Sequence, residues 1–384
     1  KCVTLVVQNN PELRTAIQNL KSAQDITNQS ISYFLPHISS QVGLKKENTA
    51  NTYTVGLTGT QSIFSGLQDW SKKNQAELNQ KIAEISLLKT KSKLSFELKS
   101  VFKGLETAQK LEALAEQIII VRKDNLKLIE LSYEGGRENK GSLLLAKAYT
   151  EEAKLEEISA KNAIQINKIS LAKILGSNDN ESIQIQGTIH AKPPSTIKVD
   201  DLKESVLHHP EYEEALLKLR LAEEGIREAW SAFLPNLNLT ANYGNKGESW
   251  FPNKSTWSVE LGLTLPLFQG GKDYYHLQSA KNQFFAIEYQ LEITKRELYL
   301  KLKESFAQYT EAFQKLKVDQ TFLEAAKVRA KIAKNKYGNG LLSFEDWDKI
   351  ENDLIKREKG LIESANDVVI KEAAWEQAQG KGIL

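Results

Sequence analysis

The chain has 384 residues, 26% of them charged, with a formal net charge of +2. That balance leaves no electrostatic footprint for nucleic acid, and a length prior suggests two or three domains. With a mean hydropathy of −0.42 and no aliphatic run longer than Ile118–Val121, the sequence contains no membrane-spanning helix. Membrane β-strands escape that exclusion, because their signal is alternation and not bulk hydropathy. Pro is scarce at 8 residues, while Ala, Leu, Lys, Glu and Gln abound, which favours long helices.

The single cysteine, Cys2, has no partner in the chain for a disulfide. Lys1 before it and helical sequence straight after it argue against lipidation. No Met occurs, so a removed signal peptide or a trimmed chain is expected.

The first expected element is a helix of about 30 residues over 4–34, with Pro11 near its start, where a missing N–H does little harm. Pro36 marks its stop. Two strands follow: Ile38, Val42 and Leu44 in one, Tyr53, Val55 and Leu57 in the next. After Gly66 the period becomes helical for about 66 residues, with Leu94, Leu98, Val101, Leu105, Ala108 and Leu111 along the seam. At 1.5 Å per residue this is a rod of about 100 Å, a length that suits a coiled coil. A Gly-rich turn at Tyr133-Glu134-Gly135-Gly136 reverses the chain into a return helix, Ser142 to Leu175.

Residues 176–200, with Pro193-Pro194, form a connector, after which the order repeats. Asn10-Pro11-Glu12 recurs as His209-Pro210-Glu211, and Phe34-Leu35-Pro36 as Phe233-Leu234-Pro235, both 199 residues on. Phe64-Ser65-Gly66 recurs as Phe268-Gln269-Gly270, and Tyr133 as Tyr337, both 204 on. Such internal similarity is the mark of a repeat architecture. The second half predicts a helix over 201–233 and cleaner strands: Leu237, Leu239, Ala241 and Tyr243, then Trp257, Val259, Leu261, Leu263 and Leu265, alternate with polar residues. A second rod follows Gly270, with Leu277, Phe284, Leu291, Leu298, Leu302, Tyr309 and Phe313 on its seam. The turn at Tyr337-Gly338-Asn339-Gly340 leads to a return helix from Ser343 to about Gln379. The expected domains are a first repeat (1–175), a connector (176–200) and a second repeat (201–384). A return helix of about 34 residues and a leading helix of about 30, stacked end to end, match the length of one rod.

Four strands per chain are too few to close a barrel, since the smallest single-chain membrane barrels have eight. An open sheet in lipid leaves unpaired edges, so closure requires several subunits. A soluble coiled-coil scaffold, binding partners along its helices, is the alternative reading.

The paired Asn/His-Pro-Glu openings, the Leu-Pro strand entries, Pro266-Leu267-Phe268-Gln269-Gly270-Gly271 and the Tyr-containing Gly turns resemble the TolC family of outer-membrane efflux proteins over nearly the whole chain. The resemblance implies a mainly α fold with a small β part: a long coiled-coil α-helical barrel plus a transmembrane β-barrel completed by a homotrimer, twelve strands in all. It implies a passive exit duct in the outer membrane of a Gram-negative bacterium, extending into the periplasm. Its partners would be outer-membrane lipid, a periplasmic adaptor protein and an inner-membrane pump of RND, ABC or MFS type; its cargo would be drugs, toxins or polypeptides. The Gly turns would be periplasmic tips where the adaptor docks, using Gly135, Gly136, Arg137, Gly338, Gly340, Leu341 and Leu342. From Tyr133 to Ser142 the first turn reads three residues longer than Tyr337 to Ser343, so the tips are expected to differ.

In that family an acidic residue nine positions after the second-tip tyrosine narrows the entrance; here it is Asp346. Three such carboxylates around a threefold axis would favour cations, with Glu345 beside them and Tyr337 bracing the closed state through its hydroxyl. Asp346 and Glu345 also suit the first turn of a helix. Tyr53, Tyr243 and Trp257 are expected at the membrane interface. Trp250-Phe251-Pro252 falls in the longer hairpin loop. A duct needs no catalytic residue, metal or cofactor, and His37, His190, His208, His209 and His276 are scattered, without ligand spacing.

Overall fold

The computed structural model of the chain describes residues 1–46, 51–178, 184–195 and 199–384. The leading helix of each half is broken where one continuous helix is expected. In the first half α1 (Cys2–Asn9) stops before α2 (Pro11–Gln29), which ends in a 3-10 turn (Ser30–Phe34). Pro11 has no N–H and turns the residue before it away from helical geometry. Asn10 is accordingly extended, and its side chain caps α2 by accepting from Leu13 N at 2.9 Å.

Strands β1 (His37–Lys46) and β2 (Asn51–Ser65) come next, then α3 (Gln68–Glu134) and α4 (Lys140–Leu175). In the second half α5 (Val199–Leu207) is separated from α6 (Pro210–Ser231). There His209 is the cap, its Nδ1 accepting from Glu211 N at 3.1 Å. Strands β3 (Asn236–Gly247) and β4 (Lys254–Thr264) lead to α7 (Lys272–Gly338) and α8 (Phe344–Ala378). Both long helices have 67 residues, against the expected 66 or so.

By contact density the chain divides into two compact units, each taking segments from both halves. One comprises Thr15–Leu87 and Leu207–Glu297. It holds an antiparallel sheet in the order β1-β2-β3-β4, and α6 packs on the start of α3, where Ser71 Oγ donates to Glu224 O at 2.7 Å. The other comprises Lys1–Arg14, Leu88–Val206 and Leu298–Leu384. Its core uses the expected seam: Leu94, Leu98, Leu105 and Ala108 of α3 and Leu298, Leu302 and Tyr309 of α7 are all buried. Here α8 is tied to α3 through Thr107–Asn366 and to α7 through Ser364–Asp319.

End-to-end stacking is visible in this second unit. The end of α4 abuts the α1–α2 break, where Asn10 Nδ2 donates to Ile174 O at 2.8 Å. Connector residue Ile189 is held on both backbone groups: Lys103 Nζ donates to its O at 3.0 Å, and its N donates to Glu106 Oε2 at 3.2 Å. Connector positions 179–183 and 196–198 lie outside the described residues.

Candidate functional site: a two-faced sheet and a pair of helical turns

The register of the sheet sorts its side chains by polarity. Residues directly opposite in an antiparallel ladder share a face. One row runs Ser40, Leu57, Tyr243, Trp257 and the next Ile38, Gly59, Ala241, Val259. Val42 pairs with Val55, Leu239 with Leu261 and Leu237 with Leu263 on the same side. The other face carries Thr58, Asn242 and Ser258 in one row and His37, Thr60, Thr240 and Glu260 in another. Its polar groups pair among themselves, Thr58 Oγ1 donating to Asn242 Oδ1 at 2.8 Å and Asn242 Nδ2 to Ser258 Oγ at 3.3 Å.

The apolar face lies open, with Trp257 76% and Leu263 69% accessible, and His37, Thr60, Ser258 and Glu260 on the polar face are exposed as well. A sheet in water buries its apolar side; this one leaves it uncovered. The outer edges of β1 and β4 carry no strand partner among the described residues.

Of the aromatics expected at an interface, Tyr243 and Trp257 are cross-strand neighbours on the apolar face. Tyr53 lies on that face as well, opposite Gly247, with its ring edge-on to Trp250 at 5.5 Å. On the polar face Gly56 sits opposite Gly244. A Cβ at Gly244 would come within 2.5 Å of Val55 O, so only glycine fits.

At the helical turns the expected difference in length is overturned. Helix α4 starts at Lys140, not Ser142, because Asn139 caps it by accepting from Ser142 N at 3.0 Å. Asn139 is therefore the counterpart of Ser343, which caps α8 by accepting from Asp346 N at 3.1 Å, and the two turns are equal in length. Each closes the same way. Gly136 N donates to Tyr133 O and Arg137 N to Ser132 O; Gly340 N donates to Tyr337 O and Leu341 N to Lys336 O. Gly136 and Gly340 take φ of +71° and +72°, a left-handed conformation that side chains with a Cβ disfavour. Gly135 and Gly338 precede them with negative φ. Arg137 and Leu341 point into solvent, Leu341 at 74%, whereas Leu342 packs against the cluster of Ile129, Ala146, Ala333, Phe344 and Trp347.

Tyr337 joins the two turns. Its hydroxyl donates to Glu138 Oε1 at 3.1 Å, and its ring stacks on Trp347 at 4.5 Å. Burial, and then the charge of Glu138, push the phenol up to about 12, so it remains a donor at any physiological pH. Asp346 and Glu345 are exposed in the first turn of α8. The Asp346 carboxylate accepts from Ser343 Oγ at 2.7 Å, closing a reciprocal cap, and Glu345 pairs with Lys349 at 2.8 Å. The helix-start role is thus in place.

Behind these turns lies a buried polar cluster that sequence reading missed. Arg122 Nη2 donates to Asn352 Oδ1, and Arg122 Nη1 lies 3.7 Å from Asp348 Oδ1. Asn352 Nδ2 donates to Asp348 Oδ2 at 3.0 Å and to the Tyr149 hydroxyl at 3.2 Å. Asn125 Nδ2 donates to Glu351 Oε2 at 2.6 Å. The Arg122 guanidinium covers the Tyr149 ring at 4.6 Å. Burial raises both Asp348 and Glu351 above the ordinary carboxylate range, against the pull of Arg122.

The profile of the family described as Outer membrane efflux protein matches residues 3–177 and 202–381. Outer membrane protein TolC of Escherichia coli (strain K12) is 25% identical over 338 residues, which make up 78% of this chain and 65% of TolC. The chain therefore covers just under two thirds of that relative's length. Among solved structures, a membrane protein from Pseudomonas aeruginosa superposes with a TM-score of 0.88 at 19% identity, over 98% of this chain and 92% of that one. The outer membrane protein VceC of Vibrio cholerae gives 0.86 at 19% identity, over 100% and 96%. The fold is thus shared with these proteins, and with the profile matched over most of its length the chain belongs to the outer membrane efflux protein family.

Proposed function

We propose that the chain is one subunit of a homotrimeric outer-membrane duct, the exit channel of a tripartite efflux or type I secretion system. The observation that carries this reading is the sheet: an uncovered apolar face, an opposite polar face and two edges without a strand partner among the described residues. Joining β1 of one subunit to β4 of the next removes the edges, puts the apolar face in lipid and leaves the polar face lining water. A soluble scaffold gives no reason for that outward-facing apolar surface. The helical segments then serve as the periplasmic conduit, with the first repeat (1–175) and second repeat (201–384) contributing equivalent parts.

In this reading Tyr53, Tyr243 and Trp257 anchor the barrel at the membrane interface. Tyr337, Glu345 and Asp346 form the periplasmic gate: Tyr337 ties the two turns together, and Asp346 presents a carboxylate to the threefold axis. The turns at Gly135, Gly136 and Arg137 and at Gly338, Gly340, Leu341 and Leu342 dock a periplasmic adaptor, which links the duct to an inner-membrane pump of RND, ABC or MFS type. Detergent-solubilised protein tests the assembly. A trimer that inserts into planar bilayers with discrete conductance steps is expected, and a monomer stable in plain buffer would refute it.

A further inference from the structure

The cluster behind the turns holds more negative charge than it neutralises. Asp348, Glu351 and Arg122 are 8%, 9% and 7% exposed, so two buried carboxylates share one buried cation. The surrounding elements supply little more. Helix α3 adds the uncharged Asn125, α4 adds Tyr149, and α8 itself adds Asn352. Helix α7 contributes Lys334, whose charge acts on Glu351 while its side chain stays in solvent. Glu152, Glu156, Lys356, Lys359 and Glu363 line the groove that reaches Arg122, with Lys359 paired to Glu156. Arg137, Glu138, Glu345 and Lys349 edge the groove that reaches Asp348; of these, Glu345 and Lys349 pair with each other, and Glu138 takes the Tyr337 hydroxyl. Among the described residues no second cation is buried with the two acids.

Burying an ion without a counter-charge is costly, and a carboxyl relieves that cost by taking a proton. We propose that Asp348 and Glu351 form a proton-operated latch between α3, α4 and α8: the packed helix ends take up a proton that the separated ends release. Acid then holds the ends together, and rising pH loosens them. The sign follows from linkage. A carboxyl that binds its proton more tightly in the packed state contributes stability below its ordinary range, and that contribution is lost as pH rises through the elevated value. The charge of Asp348 also acts on Glu351, in the same upward direction as burial. As a gating device the latch rests on the channel reading; as a packing device it does not.

Amide hydrogen exchange of residues 344–352 in the detergent-solubilised chain tests it, compared at about pH 5 and about pH 8 after correction for intrinsic exchange. In the wild type the opening equilibrium should rise with pH, by up to about tenfold for each unit separating the packed from the open carboxyl. Asp348→Asn and Glu351→Gln, which keep the shape and drop the charge, should each flatten that rise, the double variant most, while Glu351→Asp should retain it. Neutral variants with the wild-type pH ratio, or a wild type with no ratio, would overturn the latch. Bilayer conductance separates the two readings. Exchange that follows pH in a chain forming no channel keeps the latch and rejects the duct, and a working channel without the exchange ratio does the reverse.

Discussion

The hydroxyl of Tyr337, at the end of α7, donates to the carboxylate of Glu138 in the turn that follows α3, across 3.1 Å. One hydrogen bond thus ties the turn of the first half to that of the second. Tyr337→Phe removes the donor and keeps the stack on Trp347. A hydrogen bond to a charged group contributes about 1.5–3 kcal/mol, so single-channel conductance should rise and the melting temperature should fall slightly. Glu138→Gln should act in the same direction but more weakly, since the amide oxygen still accepts.

The same bond makes a pH prediction that runs opposite in range to the latch. With the phenol at about 12 in the folded protein and an ordinary value of 10.0, its stabilisation is full below 10 and is lost as pH rises from there to about 12. Thermal unfolding of Tyr337→Phe and of the wild type should differ by a constant amount between about pH 6 and about pH 9, and the gap should close in stronger alkali.

Asp346 carries two roles that substitution can separate. Asp346→Asn retains an acceptor for Ser343 Oγ and so preserves the cap, while removing the charge. Cation selectivity in bilayers should fall with little change in melting temperature. Asp346→Ala should also raise conductance and cost about 0.5–2 kcal/mol through the weakened cap. Unchanged selectivity in both variants would remove Asp346 from the gate.

Glu260 and Leu261 are adjacent on β4 but point to opposite faces of the sheet. Leu261→Arg puts a charge on the side read as lipid-facing, at a cost of about 2–4 kcal/mol near the bilayer midplane, and should reduce assembled trimer in outer-membrane fractions. Glu260→Arg should assemble normally and shift ion selectivity.

Docking at the turns is tested by Leu341→Asp and Arg137→Glu. Both side chains are solvent-exposed, so trimer yield and melting temperature should be unchanged. In vivo crosslinking to the adaptor, and export with it, should drop.

Much of this architecture was legible because it rests on local rules. Period-two alternation at Leu237–Tyr243 and Trp257–Leu263 marked the strands and their apolar face, and uninterrupted heptad-like spacing measured α3 and α7 to within a residue or so. What failed was also local. Asn139 caps α4, and a return helix begun at Ser142 makes the first turn read three residues too long. Pro11 and Pro210 read as tolerated near the start of one long helix, whereas Asn10 and His209 before them are the caps of separate helices. The buried cluster was not legible. Arg122, Tyr149 and Asp348 come from three helices and carry no spacing signal in the chain; only packing brings them together. Asp348 stood two residues from the predicted gate, yet sequence alone could not tell the exposed Asp346 from the buried Asp348 beyond their helical phase.

On the duct reading, this four-stranded sheet closes only with other copies of the chain, in a membrane. Detergent-purified protein applied to a planar bilayer, with its mass measured in the same detergent, tests it most directly. A three-subunit particle that produces uniform, cation-selective conductance steps is expected. A monodisperse single chain, or a trimer that never conducts, would contradict it.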